Sequence, residues 1–189
     1  ADAADAAAVN RVVGDTLARL TKIDFLVNGA GILRRTGFGD LEATEWDLLM
    51  SVNLRGPFLF CKAVSDPMIE RGSGVIINVA SLAGRSCSLL GGAHYTTAKH
   101  GLIGLTRHLA RELAPKGVRV NAFCPGATLT PMIQHTTSRE ELDRVAASIP
   151  RGKIAGVEEQ AHVIGFLVSD AAVNITGACI DSNGGSLMV

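Results

Sequence analysis

Within the segment HYTTAK, residues 94–99, Tyr95 and Lys99 stand four apart where an apolar, helix-forming stretch begins. Four residues make about one helical turn, so the phenol and the ammonium share a face. A phenol with an ordinary pKa near 10 is a poor proton donor or acceptor at neutral pH, and a neighbouring cation favours its ionised form. At about 4 Å and an effective dielectric near 20 the attraction is roughly 4 kcal/mol, or at most about three pKa units. The spacing therefore predicts a tyrosine tuned for general acid/base work. Y-x-x-x-K alone also describes many half-buried aromatics beside solvated lysines, and the surroundings decide between the two. Tyr95 is the only tyrosine in the chain, Ser81 ends an apolar run fourteen residues upstream, and Asn53 lies in SVNLRGPF.

The elements that must position these residues follow from hydrophobic periodicity. Short apolar runs predict strands over 24–28, 75–79, 118–123 and 178–182. Longer amphipathic stretches predict helices over 5–21, 44–71, 95–114 and 157–169, with a further short helix over 140–148. Pro57 and Pro67 are expected to mark a bend and a turn in the second helix. Thr44 and Ser138 are read as caps, and Gly72, Gly74 and Gly117 as helix ends. Alternating β and α units imply a parallel sheet with helices on both faces, in one domain spanning 1–189. The loops NGAG, ASLAG, CPGATLTP and NGG follow the four strands. Ligands of such sheets bind beyond the carboxyl ends of the strands, so all four loops should line one edge.

Composition removes several alternatives. Of 189 residues 47% are hydrophobic, enough for one core, and eighteen basic residues balance eighteen acidic ones. That balance leaves no excess charge for nucleic acid or an anionic membrane surface. Apolar runs fall short of the roughly eighteen residues of a membrane-crossing helix, and the alanine-rich start carries Asp2 and Asp5 instead of a basic leader. Cys61, Cys87, Cys124 and Cys179 are dispersed, with no C-x-x-C pair and no histidine at ligand spacing, so no metal site is expected. They suit buried thiols in a reducing cytoplasm.

Six blocks, LVNGAG, SVNLRGPF, IINVASLAG, YTTAK, VRVNAFCPG and ITGACIDSNGG, occur in the order and at the intervals of the short-chain dehydrogenase/reductase family, which the chain resembles throughout. The segments TPMI and IPRGKIAGVEEQAHVIGFLVSD resemble its classical branch, which includes the 3-oxoacyl-[acyl-carrier-protein] reductases. The resemblance implies a Rossmann-type doubly wound sheet and a catalytic tetrad of Asn53, Ser81, Tyr95 and Lys99. In it Tyr95 is the general acid/base, Ser81 holds the carbonyl oxygen, Lys99 tunes the tyrosine and binds the nicotinamide ribose, and Asn53 holds a water leading to solvent. It implies NAD or NADP as cofactor, with contacts at Asp2, Asn28, Ala30, Gly31, Tyr95, Lys99, Pro125, Gly126, Thr128 and Thr130. Gly29 stands where the family usually has a second asparagine.

Family members open with a strand and T-G-x-x-x-G-x-G, whose glycines seat the pyrophosphate on a helix N-terminus. The chain begins, at ADAAD, where the family's third strand ends, about two βα units later. An incomplete chain is expected in preference to a shortened protein with a vestigial site.

Among the remaining residues, His94, His100 and His108 are expected at the surface or an interface, and Cys87 and Cys124 in ordinary packing. Leu102, Leu105, Leu109 and Leu113 form a core stripe. The resemblance implies a homo-oligomer, a dimer or tetramer, pairing helices 44–71 and 95–114, with Gly101 and Gly104 permitting close approach. Residues 131–150 are expected to form a substrate lid with Met132, Ile133, Leu142 and Val145 on its inner side. Arg139 and Arg144 are read as solvated. The activity implied is interconversion of a secondary alcohol and a ketone, on a small carbonyl or alcohol substrate, most like a 3-oxoacyl-carrier reductase or a broad alcohol dehydrogenase. Sugar, polyol and steroid substrates stay open. The alternative is an impaired subunit that keeps the helix interface but not the cofactor.

Overall fold

A computed structural model describes residues 2–134 and 137–189. Four parallel strands, β1 (Phe25–Asn28), β2 (Gly74–Val79), β3 (Val118–Pro125) and β4 (Cys179–Ser182), pair in chain order. Register runs Phe25 to Val75, Val75 to Arg119 and Ala122 to Cys179. The helices are α1 (Ala6–Leu20), α2 (Ala43–Met50), α3 (Gly56–Arg71), α4 (Ala93–Leu113), α5 (Pro131–Gln134), α6 (Arg139–Ser148) and α7 (Val157–Val168).

Side-chain alternation along the strands divides the core in two. Ile76, Val118 and Val120 face Val13 of α1, Cys61, Val64 and Met68 of α3, and Ala110 and Leu113 of α4. Val75, Ile77 and Phe123 face Leu167 of α7. Each fully buried side chain of this size stabilises by roughly 1.5–3 kcal/mol. Leu102 and Leu113 are buried and Leu105 and Leu109 pack partly buried, so the leucine stripe is core. On β1, Phe25 and Val27 are 52% and 43% exposed.

The expected helix over 44–71 is three pieces. A π-helical turn, Ser51–Arg55, separates α2 from α3, and the Gly56 N–H reaches back five residues to the Ser51 carbonyl. Pro57 opens α3; lacking an N–H, it offers no bond to the Asn53 carbonyl four residues earlier, and the ladder widens there. Pro67 makes no turn: α3 runs through it, with Val64 and Met68 buried on either side holding the helix together. Thr44 lies inside α2 and caps nothing, since the helix starts one residue earlier behind Glu42. Ser138 does cap α6, accepting the Glu141 N–H at 3.2 Å. Gly72 and Gly117 end helical segments at φ 67° and 81°, which favour glycine, whereas Gly74 begins β2.

Candidate active site

Because the strands are parallel, their carboxyl ends share one edge, and the predicted residues gather there by different routes. Ser81 follows β2 in extended backbone, and its Oγ accepts the Ala83 N–H at 3.1 Å, capping a 3-10 turn, Leu82–Gly84. Its own O–H is directed at the Tyr95 phenol. Tyr95 and Lys99 sit in the first two turns of α4. Asn53 lies in the π turn, fully buried, and clasps the loop after β1: its Oδ1 accepts the Ile32 N–H and its Nδ2 donates to the Ile32 carbonyl, each at 2.8 Å.

The Tyr95 and Lys99 side chains do share a face, with the ammonium 5.7 Å from the ring centroid. The electrostatic outcome differs from the sequence expectation. Burial raises the Tyr95 pKa above the usual phenol value and a hydrogen bond with the Ser81 hydroxyl draws it back in part. Lys99 takes no visible share, because its ammonium lies over the ring and donates to the Val79 carbonyl at 2.8 Å. Burial lowers the Lys99 pKa to about 8, against a smaller opposing effect of Cys124. The phenol is therefore held protonated at neutral pH.

Lys99 has three N–H groups, one of them given to Val79, and the space beside it is kept open by Gly31. A Cβ on Gly31 would lie 3.0 Å from Asn53 Oδ1 and 3.8 Å from Lys99 Nζ. A buried ammonium with donors to spare, at the rim of a side-chain-free cradle, fits the hydroxyl groups of a nucleotide ribose. Pro125 ends β3, and Gly126 packs where a Cβ would meet Asn183 at 2.8 Å. Thr128 Oγ1 donates to the Gly126 carbonyl at 3.2 Å, and the Thr130 carbonyl caps α5. Gly31, Pro125, Gly126, Thr128 and Thr130 are half-buried beyond the strand ends, and Ala30 is exposed beside them.

Two predicted contacts are arranged differently. The Asn28 side chain turns inward, its Nδ2 donating to Asn78 Oδ1 at 2.8 Å, and Asn78 Nδ2 donates onward to Thr106 at 2.9 Å. Asp2 is exposed and accepts the Ala4 N–H at 2.9 Å, beside a small cleft of about 180 Å³ between Ala3, Ala30 and Pro57.

Sequence reasoning overlooked several residues around this edge. His94 is not a surface residue: it is completely buried, with Nε2 3.0 Å from Glu45 Oε1. Arg85, after β2, pairs bidentately with Asp181 of β4 at 3.1–3.3 Å. Gln160 of α7 donates to Thr128 Oγ1 at 3.2 Å and to the Ser182 carbonyl at 3.1 Å, tying two strand-end loops together. Arg35 reaches from the loop after β1 to Glu141 Oε1 at 3.0 Å and to the Thr137 hydroxyl at 2.8 Å. Such long-range partners carry no local signal in a single sequence.

In the expected lid, α5 and α6 flank residues 135–136, which lie outside the described residues. Leu142 and Val145 are half-buried, whereas Met132 is 41% exposed. Arg139 pairs with Asp143 on the exposed face of α6. His100 and His108 are exposed as expected. The cysteine expectation holds for Cys61 and Cys124, but Cys87 is exposed and Cys179 half-buried. Among the described residues there is no cluster of metal-ligating side chains and no helix long and apolar enough to cross a membrane.

A family model described as enoyl-(acyl carrier protein) reductase matches residues 1–186. A 2-(R)-hydroxypropyl-CoM dehydrogenase of Xanthobacter autotrophicus is 39% identical over 188 residues, 97% of this chain and 75% of that protein. A 3-oxoacyl-[acyl-carrier-protein] reductase of Synechocystis sp. is 39% identical over 189 residues, 100% of this chain and 74% of that protein. The crystal structure of a 3-oxoacyl-[acyl-carrier protein] reductase from Brucella melitensis superposes with a TM-score of 0.93 at 32% identity, covering 100% of this chain and 71% of that one. Parallel topology, sequence blocks and these relatives agree, and the chain belongs to the short-chain dehydrogenase/reductase family of oxidoreductases.

Proposed function

We propose that the protein is an NAD- or NADP-dependent oxidoreductase that interconverts a secondary alcohol and a ketone, with Tyr95 as general acid/base. The observation that carries this reading is the convergence of the Ser81 hydroxyl on a half-buried Tyr95 phenol whose ring lies under the Lys99 ammonium. When bound, the nicotinamide supplies or accepts the hydride. Tyr95, kept protonated by its burial, donates its proton to the carbonyl oxygen in reduction and recovers one in oxidation. Ser81 turns its O–H from Tyr95 to that same oxygen, hydrogen-bonding it as charge develops. Lys99 holds the ribose hydroxyls. The Asn53 carbonyl, to which Pro57 offers no N–H, is the acceptor available for a water on the proton path.

The substrate class favoured by the relatives is a 3-oxoacyl thioester, with a broad alcohol dehydrogenase activity as the neighbouring choice. Residues 131–150 serve as the lid over it, within one domain spanning 1–189. We further propose a homo-oligomer, dimer or tetramer, paired through α3 and α4. An apolar groove of about 560 Å³ between these helices, lined by Met50, Leu54, Phe58 and Leu105, supports that face. A Cβ on Gly104 would meet nothing within 4 Å, while at Gly101, which lines the groove, a Cβ would meet Leu54 of the same chain at 2.9 Å. The four free thiols suit a reducing cytoplasm.

The test is titration of the protein with NADH and NADPH by fluorescence, followed by an assay of acetoacetyl thioester reduction. Saturable nucleotide binding with turnover supports the reading. Absence of binding by either nucleotide overturns it.

A further inference from the structure

The residue beside the proposed acid/base carries a contact with no structural necessity of its own. His94 has no solvent exposure, and its Nδ1 is buried without a hydrogen-bond partner among the described residues. An unpaired buried acceptor costs about 1–3 kcal/mol. An apolar side chain of similar size would fill the space without that penalty. What the imidazole adds is direction: Nε2 lies 3.0 Å from Glu45 Oε1.

The carboxylate is itself held. A hydrogen bond from the Thr36 hydroxyl is the largest influence lowering the Glu45 pKa, with His94 and Arg34 acting the same way. An ionised Glu45 accepts only, so the His94 Nε2–H is the donor in this contact. The bond is charge-assisted, the stronger kind.

The elements it joins matter most. His94 lies in the first turn of α4, whose N-cap residue Gly92 has no side chain to cap the helix. Glu45 lies in the first turn of α2. The loop after β1 closes the triangle, because the Arg34 carbonyl accepts the Gly92 N–H at 2.9 Å. A Cβ on Gly92 would stand 2.6 Å from the Thr36 carbonyl oxygen and 2.7 Å from His94 Cε1. Three segments thus converge on the turn that carries Tyr95. On that turn the His94–Glu45 bond stands beside the one Thr96 Oγ1 accepts from the Ser88 N–H at 3.1 Å, and it is the one that ties the turn to α2.

We propose that His94 is a positioning residue: held by Glu45, it fixes the rotation of the first turn of α4 and so aims the Tyr95 phenol at Ser81. The kinetic consequence rests on the acid/base reading of Tyr95; the geometric claim does not.

Both parts can be read separately, because Tyr95 is the sole tyrosine and 13Cζ-tyrosine labelling gives a single resonance. The variants are His94→Phe, which packs without a donor, His94→Gln, whose amide N–H can still reach Glu45, Glu45→Ala, and the His94→Phe/Glu45→Ala double variant. In His94→Phe the resonance moves and the phenol, having lost the Ser81 hydrogen bond that draws its pKa down, titrates further above its ordinary value. Its kcat falls about tenfold, while KM and nucleotide Kd stay within about twofold, as expected for a displaced reacting group. His94→Gln restores both readouts. The double variant is no worse than either single, since both remove one bond. Should His94→Phe not fold, Glu45→Ala gives the same two readouts from outside the core.

An unmoved resonance in both His94→Phe and Glu45→Ala overturns the proposal, as does His94→Gln behaving like His94→Phe, or additive losses in the double variant. If the wild-type protein shows no turnover while the resonance responds as described, the reaction assigned to the site fails and the positioning role stands.

Discussion

Gly84 and Lys99 meet backbone to backbone: a Cβ on Gly84 would stand 2.7 Å from the Lys99 carbonyl oxygen and 2.9 Å from its carbonyl carbon. The turn that Ser81 caps therefore lies directly on the helix turn that bears Lys99. In the proposed mechanism Ser81 and Tyr95 share one substrate oxygen, and this contact fixes the distance between the segments that carry them.

Gly84→Ala is expected to push the two segments apart, destabilising by about 1–3 kcal/mol as overpacking does and lowering kcat more than KM. Gly14→Ala is the control. It lies inside α1 with nothing within 4 Å of its Cβ, and should stabilise by up to about 1 kcal/mol through helix propensity. Thermal melts and steady-state kinetics on both variants check the pair; equal effects would remove the close contact from the account.

Tyr95→Phe removes one oxygen and leaves a ring that fits the same space. Turnover should fall by about two to four orders of magnitude, the range for general acid/base groups, with nucleotide affinity and the melting midpoint nearly unchanged. Single-turnover assays with a matched nucleotide titration measure this. Turnover above a few per cent of wild type would reassign the proton transfer.

Lys99 sets function against stability. Its pKa of about 8 in the folded protein lies below the value near 10.4 of an unfolded lysine. The unfolded chain thus binds more protons between those values, and stability rises with pH across that window. Below about pH 8 the whole penalty of the buried charge is present. Two pKa units amount to about 3 kcal/mol, more than the roughly 1 kcal/mol of the lost bond to Val79. Lys99→Met should therefore melt higher than wild type at pH 7, by a margin that shrinks from pH 8 to 10, while its turnover is lost. A lower melting point at pH 7 would contradict the buried-charge argument.

Burial pushes the Cys61 and Cys124 thiols up to about 12, so neither forms a thiolate near neutrality. Cys87 is exposed. Iodoacetamide on the folded protein should label Cys87 first, with Cys61 and Cys124 reacting only in denaturant, as peptide mass mapping reads out. Early alkylation of Cys124 would show that β3 opens far more readily than its packing suggests.

The sequence by itself determined the parallel sheet, the helices around it and the pairing of Tyr95 with Lys99 on one face, because each rests on a period: apolar runs for buried strands, four residues for a helical turn. The same local rules placed Ser81 at a strand end. Tertiary structure alone decided that Lys99 spends a proton on the Val79 carbonyl, that burial raises the Tyr95 pKa, that Asn28 turns inward to Asn78, and that His94 is buried against Glu45. Each depends on partners 14 to 50 residues away, and on how much water the packed chain leaves around a charge. No spacing rule encodes either quantity, since both appear only when distant segments close on one another.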